Sequence, residues 1–357
     1  MLFLLSALRR DGSIAALPDR RQLDELAHYL QRTQQGNLLT HTLFLGDKYL
    51  FWTKDGKHLF PYARTRNKLI VLGDPIGPAE SAGAAIGEWK TFADKHALHV
   101  VFYQATADYL PLYHEHGYRF FKLGEEALVP LSTFRLSGKS NAALRSVKNR
   151  FEREGCRFAM AEPPHGEALM ARLRVVSDRW LAGRKEKGFS LGWFEPDYIQ
   201  RAPVALLTDG SDELIAFATL MPCYDSGTTT SIDLMRHLPD APNGTMDYLF
   251  INLFEWAKEQ GYAQFNLGMA PLSSVGQTET AFREEKLARL VFRYGGPWYG
   301  FEGLRRYKDK FNPVWEPRYL AYPASVPLSV LTVELLLLVS RKAVVATGSR
   351  RSPTESA

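Results

Sequence analysis

The chain has 357 residues, is 45% hydrophobic and 23% charged, and carries a formal net charge of +5. That length allows two domains of ordinary size, each with its own core, and the composition excludes a disordered chain. Two cysteines, Cys156 and Cys223, stand far apart without CxxC spacing, which argues against a zinc site or a disulfide scaffold and fits a reducing compartment.

The chain starts with an apolar stretch, Met1–Leu8, followed by Arg9 and Arg10. A membrane span takes about 20 apolar residues, so residues 1–14 are expected to be the end of a transmembrane helix whose Arg pair is cytoplasmic. A signal peptide would carry charge ahead of the apolar stretch. Residues 19–33 predict a helix, with Leu23, Leu26, Ala27 and Leu30 on one face. A hairpin-like stretch (Thr42–Phe60), the strand Lys68–Leu72, the turn Gly73–Pro78, the helix Ala84–His96 and the strand His99–Tyr103 follow. Residues 109–121 predict a short helix ending at Gly117 and then a strand. In Ser140–Glu154, Leu144, Val147 and Phe151 share one side of a helix while Arg145, Lys148, Arg150 and Arg153 occupy other faces. A solvated connector carries the same pattern.

Glu162-Pro163-Pro164 marks a boundary, followed by the helix Glu167–Leu181 and a loop, Gly183–Phe194, rich in Gly, Lys and aromatic residues. The first order of elements then recurs: strands Leu214–Met221 and Thr229–Met235, the turn Pro239–Gly244, the helix Met246–Gln260 and the strand Ala263–Leu267. The two halves share little residue identity, so the repeat is one of architecture. Two α/β units are expected, 15–135 and 161–325, joined by a basic linker helix within 136–160, and the cleft made by duplication is where a ligand is expected. Gly295–Pro323 interleaves aromatic and basic residues, a pattern that stacks on nucleic acid or grips phosphate, and that also serves ordinary packing. The 15 residues Val326–Ser340 fit an interfacial or packed helix rather than a span. Arg341, Lys342, Arg350 and Arg351 in the tail suit anionic headgroups.

Positive charge is local. Arg135–Arg157 carries a net +5 and Arg283–Arg318 a net +4, against +5 for the whole chain, so an anionic partner is expected at these two places.

Several cofactor motifs are missing. Gly138-Lys139-Ser140 has Thr133 where a phosphate loop needs its first Gly, and His114-Glu115-His116 has Tyr118 where a zinc site needs its second His. No GxGxxG and no [QR]xxGx[GA] coenzyme A motif occurs. No cofactor and no metal is expected. What remains is a set of acids, cations and glycines. Asp233 and Arg236 lie on the strand before the second turn, on opposite faces by strand alternation. A bend near Pro239 is expected to bring Arg236 back to the cleft. Asn266 and Gly268 end a strand, where open α/β sheets bind ligands. Lys308 and Lys310, preceded by Arg305 and Arg306, offer phosphate donors.

On Gly73–Pro78, Asp233–Arg236, Pro239–Gly244, Asn266–Leu272 and Gly303–Pro317 the chain resembles the cytosolic catalytic domain of bacterial aminoacyl-phosphatidylglycerol synthases, also called phosphatidylglycerol lysyltransferases or multiple peptide resistance factors. The resemblance covers about residues 15–325. It implies two tandem GNAT folds joined by a basic helix. It also implies transfer of a lysyl or alanyl group from aminoacyl-tRNA to the glycerol hydroxyl of phosphatidylglycerol. Such a product lowers membrane negative charge and gives resistance to cationic antimicrobial peptides. The implied setting is the cytoplasmic face of the bacterial inner membrane, with an N-terminal transmembrane flippase domain as partner. On the matching motif Asp233 is expected to orient or deprotonate the acceptor hydroxyl or to hold the donor's α-ammonium, and Arg236 to bind lipid phosphate or the developing oxyanion. Lys308, Lys310 and Arg305, with Asn266 and Gly268, are expected to bind substrate. Arg145, Lys148, Arg150 and Arg153 are expected to grip the tRNA acceptor stem. A peptidoglycan-precursor aminoacyltransferase and a non-catalytic membrane- or RNA-binding module are the alternatives.

Overall fold

The computed structural model describes residues 16–139, 141–286, 289 and 301–340. The apolar stretch 1–8, the first part (295–300) of the aromatic and basic segment, and the basic tail after Ser340 therefore lie outside the described residues. The first helix, α1 (Arg20–Thr33), starts on a reciprocal cap: Asp19 accepts from the Gln22 N–H, and Gln22 accepts from the Asp19 N–H. The strands β1 (Tyr49–Trp52), β2 (Leu59–Thr65) and β3 (Lys68–Leu72) follow, then α2 (Ala82–Lys95), β4 (His99–Thr106), α3 (Leu110–Glu115) and β5 (Tyr118–Pro130). The basic helix α4 (Ala142–Arg153) and the edge strand β6 (Arg157–Ala161) come next, with α5 (Glu167–Leu181) and the one-turn α6 (Pro196–Ile199). The remaining elements are β7 (Val204–Thr208), β8 (Leu214–Pro222), β9 (Thr229–His237), α7 (Thr245–Glu259), β10 (Gln264–Pro271), α8 (Phe301–Asp309), β11 (Val314–Pro323) and α9 (Leu328–Ser340).

The order β-β-β-α-β-α-β thus occurs twice, as β1 to β5 and as β7 to β11. All strands belong to one mixed sheet of order β1-β2-β3-β4-β11-β5-β10-β9-β8-β7-β6. The last strand of each half lies in the other half's territory: β11 sits between β4 and β5, and β5 between β11 and β10. The expected units 15–135 and 161–325 are therefore interleaved, not separately closed. Strand β3 shows how sequence sets the layers. All five of its residues are buried. Leu69 and Val71 pack with Trp89 of α2, while Ile70 and Leu72 pack on the other face with Leu331 and Leu335 of α9. A strand covered on both faces reads as a continuous apolar run.

The exchange has a testable consequence. If the chain is cut between Ser137 and Gly138 and the pieces are expressed apart, β4 and β5 lose the strand that separates them, and open apolar edges aggregate. Each piece alone is expected to be insoluble. Co-expression is expected to return a soluble complex that co-purifies. Two pieces that are soluble and monomeric apart would contradict the interleaving.

Candidate active site

The two halves differ in how their parallel pairs end. In the first, the parallel pair β3 and β4 stays zipped from Lys68–His99 to Leu72–Tyr103, and the Gly73 N–H continues it onto the Tyr103 carbonyl. In the second, β9 and β10 pair only from Gln264–Thr229 to Asn266–Ser231 and then part. Both strands leave the pairing on an irregularity. Strand β10 slips between Asn266 and Met269 as it turns to β5, and β9 bulges as it turns to β8. Bulges bend strands and re-aim side chains, and here they open a wedge at the carboxyl ends of a parallel pair, a preferred ligand position.

The β9 bulge corrects one expectation. Against Ala218 and Leu220 of β8, which are two residues apart, β9 presents Met235 and Ile232, which are three apart. The extra residue breaks the alternation, so Asp233 and Arg236 both reach the 177–198 segment with no bend at Pro239. Thr219 Oγ1 accepts the Leu234 N–H (3.0 Å) that the bulge would otherwise leave bare. Asp233 accepts from the Gly192 N–H (3.0 Å) and the Tyr198 O–H (2.7 Å). Burial pushes its carboxyl above the usual carboxylate range, against the two hydrogen bonds and the positive charges of Lys48 and Arg236, which hold it down.

Arg236 is 2% exposed. Its guanidinium binds both oxygens of Glu186 (2.8 and 2.7 Å) and the Ser177 hydroxyl, and it lies over the Trp180 ring. Glu186 in turn accepts the Phe194 N–H (3.1 Å). Arg236 thus anchors the loop that carries Gly192.

Across the wedge, Asn266 takes the Gly268 N–H on Oδ1 (2.6 Å) and gives its amide to Glu126 (3.0 Å). Gly268 has φ +79°, a left-handed turn that exposes its own carbonyl and that of Met269 to the Lys308 ammonium, both at 2.9 Å. Burial lowers Lys308 to about 8, although the Glu126 charge pulls it back up. Glu126, 2% exposed, is tied to Arg318 at 2.5 Å.

The structure does not bring the other candidates to this wedge. Residues two apart on a helix diverge by about 200°. Lys308 faces β10, and Lys310 instead binds Asp247 of α7 (3.1 and 3.2 Å). Arg305 binds Glu125, Ser273 and Ser274 and stacks on Trp315. On α4, Arg145 donates to the Leu136 and Gly138 carbonyls, Lys148 pairs with Glu255 (2.6 Å), and Arg150 donates to the Asn243 carbonyl. Arg153 is exposed.

Several site residues escaped sequence reading: Glu186, Gly192 and Tyr198 in and after the Gly/Lys/aromatic loop, and the pair Asp47–Lys48. Lys48 donates to Asp47 (2.5 Å) and to the Thr42 carbonyl (3.1 Å), with both acid and base side chains essentially buried. Asp47 also accepts the Phe189 N–H (3.3 Å), so the first half reaches the loop that binds Asp233. Gly192 is required for close approach: a Cβ there would stand 1.7 Å from Asp233 Oδ2. Gly192→Ala is therefore expected to displace the carboxylate and cut activity at least a hundredfold while the protein stays folded, read by steady-state rates and a thermal melt. An active Gly192→Ala protein would mean that Asp233 does not work from this position.

A family model described as phosphatidylglycerol lysyltransferase, C-terminal, matches residues 27–322. The phosphatidylglycerol lysyltransferase of Bacillus subtilis is 42% identical over 341 residues, covering 96% of this chain and 40% of that protein. That of Staphylococcus epidermidis is 40% identical over 307 residues, 86% of this chain and 36% of that protein. The chain thus spans about two fifths of the length of these curated relatives. The solved structure of L-PGS from Bacillus licheniformis superposes with a TM-score of 0.82 at 45% identity, over 93% of this chain and all of that one.

Proposed function

Because the chain belongs to the family of phosphatidylglycerol lysyltransferase C-terminal domains, we propose that it transfers a lysyl group from lysyl-tRNA to the glycerol hydroxyl of phosphatidylglycerol. The observation that carries this reading is the wedge between β9 and β10, with the desolvated Asp233 on one strand and Lys308 held on the other. Exchange of one ester for another is nearly balanced, so it calls for a base, a cation and a shielded path rather than for ATP.

In the proposed reaction Asp233 takes the proton of the lipid hydroxyl as its oxygen attacks the lysyl carbonyl carbon. The bond from that carbon to the tRNA ribose oxygen then breaks, and the proton passes to the leaving ribose oxygen. Two of the three N–H donors of Lys308 are committed to the Gly268 and Met269 carbonyls, and its charge neutralises the lipid phosphate or the oxyanion. Arg236 acts through Glu186 as a positioning residue. The β4-zipped first half and the split second half fit a pair of GNAT-like units of which only the second is catalytic. Around the basic helix, exposed Arg135, Lys139 and Arg153 are the cations proposed to meet tRNA. The product adds a positive lysyl group to an anionic lipid and so lowers the negative charge of the membrane. We place the chain at the cytoplasmic face of the membrane, beside an N-terminal membrane domain.

The acceptor decides between this reading and transfer to an amine of a peptidoglycan precursor. Purified protein with lysyl-tRNA and each acceptor supplied separately is expected to label phosphatidylglycerol alone. Label only on the peptide amine would overturn the lipid reading.

The same groups set the pH dependence. Below the raised pKa of Asp233 the carboxyl is protonated and cannot accept a proton, so the rate falls as pH drops through a value above the usual carboxylate range. Above about 8 Lys308 loses its charge and the rate falls again. A bell-shaped single-turnover profile is expected, and Lys308→Arg is expected to lower the rate but remove the alkaline limb. An alkaline limb that survives in Lys308→Arg would assign it to another group.

A further inference from the structure

We propose that α9 and the neighbouring 184–191 loop form a docking face that seats this protein on a bilayer rich in phosphatidylglycerol, with the loop that shapes the active site turned toward the lipid. This rests on the lipid-acceptor reading above and names the surface that delivers the acceptor.

Helix α9 has two unlike sides. One is internal: Leu331 and Leu335 are buried on β3 and β4, and Glu334 binds Lys68 at 3.1 Å. The other carries Val330, Val333, Leu336 and Leu337, each 41–56% exposed. Residues 330, 333 and 337 fall at i, i+3 and i+7, so they form one stripe along the helix. Ordinary surfaces scatter exposed apolar side chains singly, and a contiguous stripe marks an interaction face. No helix among the described residues is long and apolar enough to cross a membrane. The 13 residues of α9, apolar outside and anchored inside, suit a position along an interface.

Charge beside the stripe selects the partner. The Gly188 N–H donates to the Val339 carbonyl at the end of α9 (3.1 Å), and Phe189 packs into the cluster under the helix. That contact sets Lys185 and Lys187, both exposed, near the C-terminal end of α9, with half-exposed Leu191 just beyond, while Arg184 turns back onto the Trp180 ring. The one acid in this run, Glu186, is turned inward onto Arg236. The loop surface is therefore cationic, next to a surface of alkyl groups. Alkyl groups that sink to headgroup depth and cations that stay above them match an anionic lipid surface. The same loop reaches Asp233 through Gly192 and Arg236 through Glu186, so a lipid drawn from the bilayer meets the wedge at this edge.

The test pellets the protein with vesicles of phosphatidylglycerol or of phosphatidylcholine. Wild type is expected to bind the anionic vesicles at least tenfold better. Val333→Glu with Leu337→Glu, both at exposed positions, is expected to lose at least tenfold in that binding. The same variant is expected to keep wild-type transfer to a monomeric short-chain phosphatidylglycerol. Lys185→Glu with Lys187→Glu is expected to bind less and to lose most of the salt dependence. Binding of the stripe variant equal to wild type would overturn the proposal. So would loss of transfer to the short-chain lipid, or a change from dimer to monomer by light scattering, which would make the stripe a contact between copies. If vesicle binding behaves as expected but no variant or wild type transfers to any phosphatidylglycerol, the docking face stands and the proposed reaction fails.

Discussion

Asp233→Asn is expected to lower lysyl transfer by about 10²–10⁴, the usual contribution of a positioned general base. The fold should survive, because the amide keeps an acceptor for the Gly192 N–H, and the Tyr198 hydroxyl can accept as well as donate. Stability is expected to rise, and the sign follows from linkage. A carboxyl whose pKa is higher in the folded chain than in the unfolded one penalises the native state once both are ionised, near neutral pH. Replacing it with a neutral amide removes that penalty. The check is a thermal melt at pH 7 beside single-turnover rates. A melt at or above that of wild type with transfer down at least a hundredfold is the expected pair of results. A lower melting temperature would reassign Asp233 as a structural acid.

Glu186→Ala is expected to have the largest effect on stability, about 3–5 kcal/mol, because it leaves the guanidinium of Arg236 buried without its partner. The Phe194 N–H loses its acceptor in the same step. Adding Arg236→Met removes the stranded charge and is expected to restore most of the lost stability, since apolar replacements of buried ion pairs are often neutral. It is not expected to restore transfer, because the loop that presents Gly192 to Asp233 loses its anchor. Urea unfolding of both variants separates the effects. A Glu186→Ala protein within about 1 kcal/mol of wild type would mean that the pair is open to water and anchors nothing.

Local pattern carried much of the fold. The strand Lys68–Leu72 and the helix Glu167–Leu181 have the predicted bounds, and the helices predicted at Ala84–His96 and Met246–Gln260 lie within two residues of Ala82–Lys95 and Thr245–Glu259. Each of these segments states its own period and its own stop signals. Choice of partner was not legible. Nothing in Tyr118–Pro130 or Val314–Pro323 says that each strand leaves its own half, because either fits an antiparallel pairing and only the whole sheet selects between them. The site divides the same way. Asp233 stands out as a candidate through a motif, but its joint orientation with Arg236 depends on a bulge against β8, which alternation along β9 does not contain. Asp47–Lys48 reads locally as a solvated pair and becomes a buried one only when the first half folds over the loop. The divergence of Lys308 from Lys310, by contrast, was available from helix geometry alone. On the basic helix, Arg145, Lys148 and Arg150 lie on different faces from the apolar residues, and their long side chains reach back to acceptors on the chain itself, which charge counting along the sequence does not show.

The most direct test of the proposed reaction follows radiolabelled lysine from tRNA to lipid. Protein, lysyl-tRNA and phosphatidylglycerol vesicles are mixed for a single turnover, and the lipid extract is resolved on a thin-layer plate. Wild type is expected to give a labelled lipid that disappears with prior RNase treatment and falls at least a hundredfold in Asp233→Asn. No labelled lipid from folded wild-type protein, or equal label from Asp233→Asn, would contradict transfer at the β9–β10 wedge.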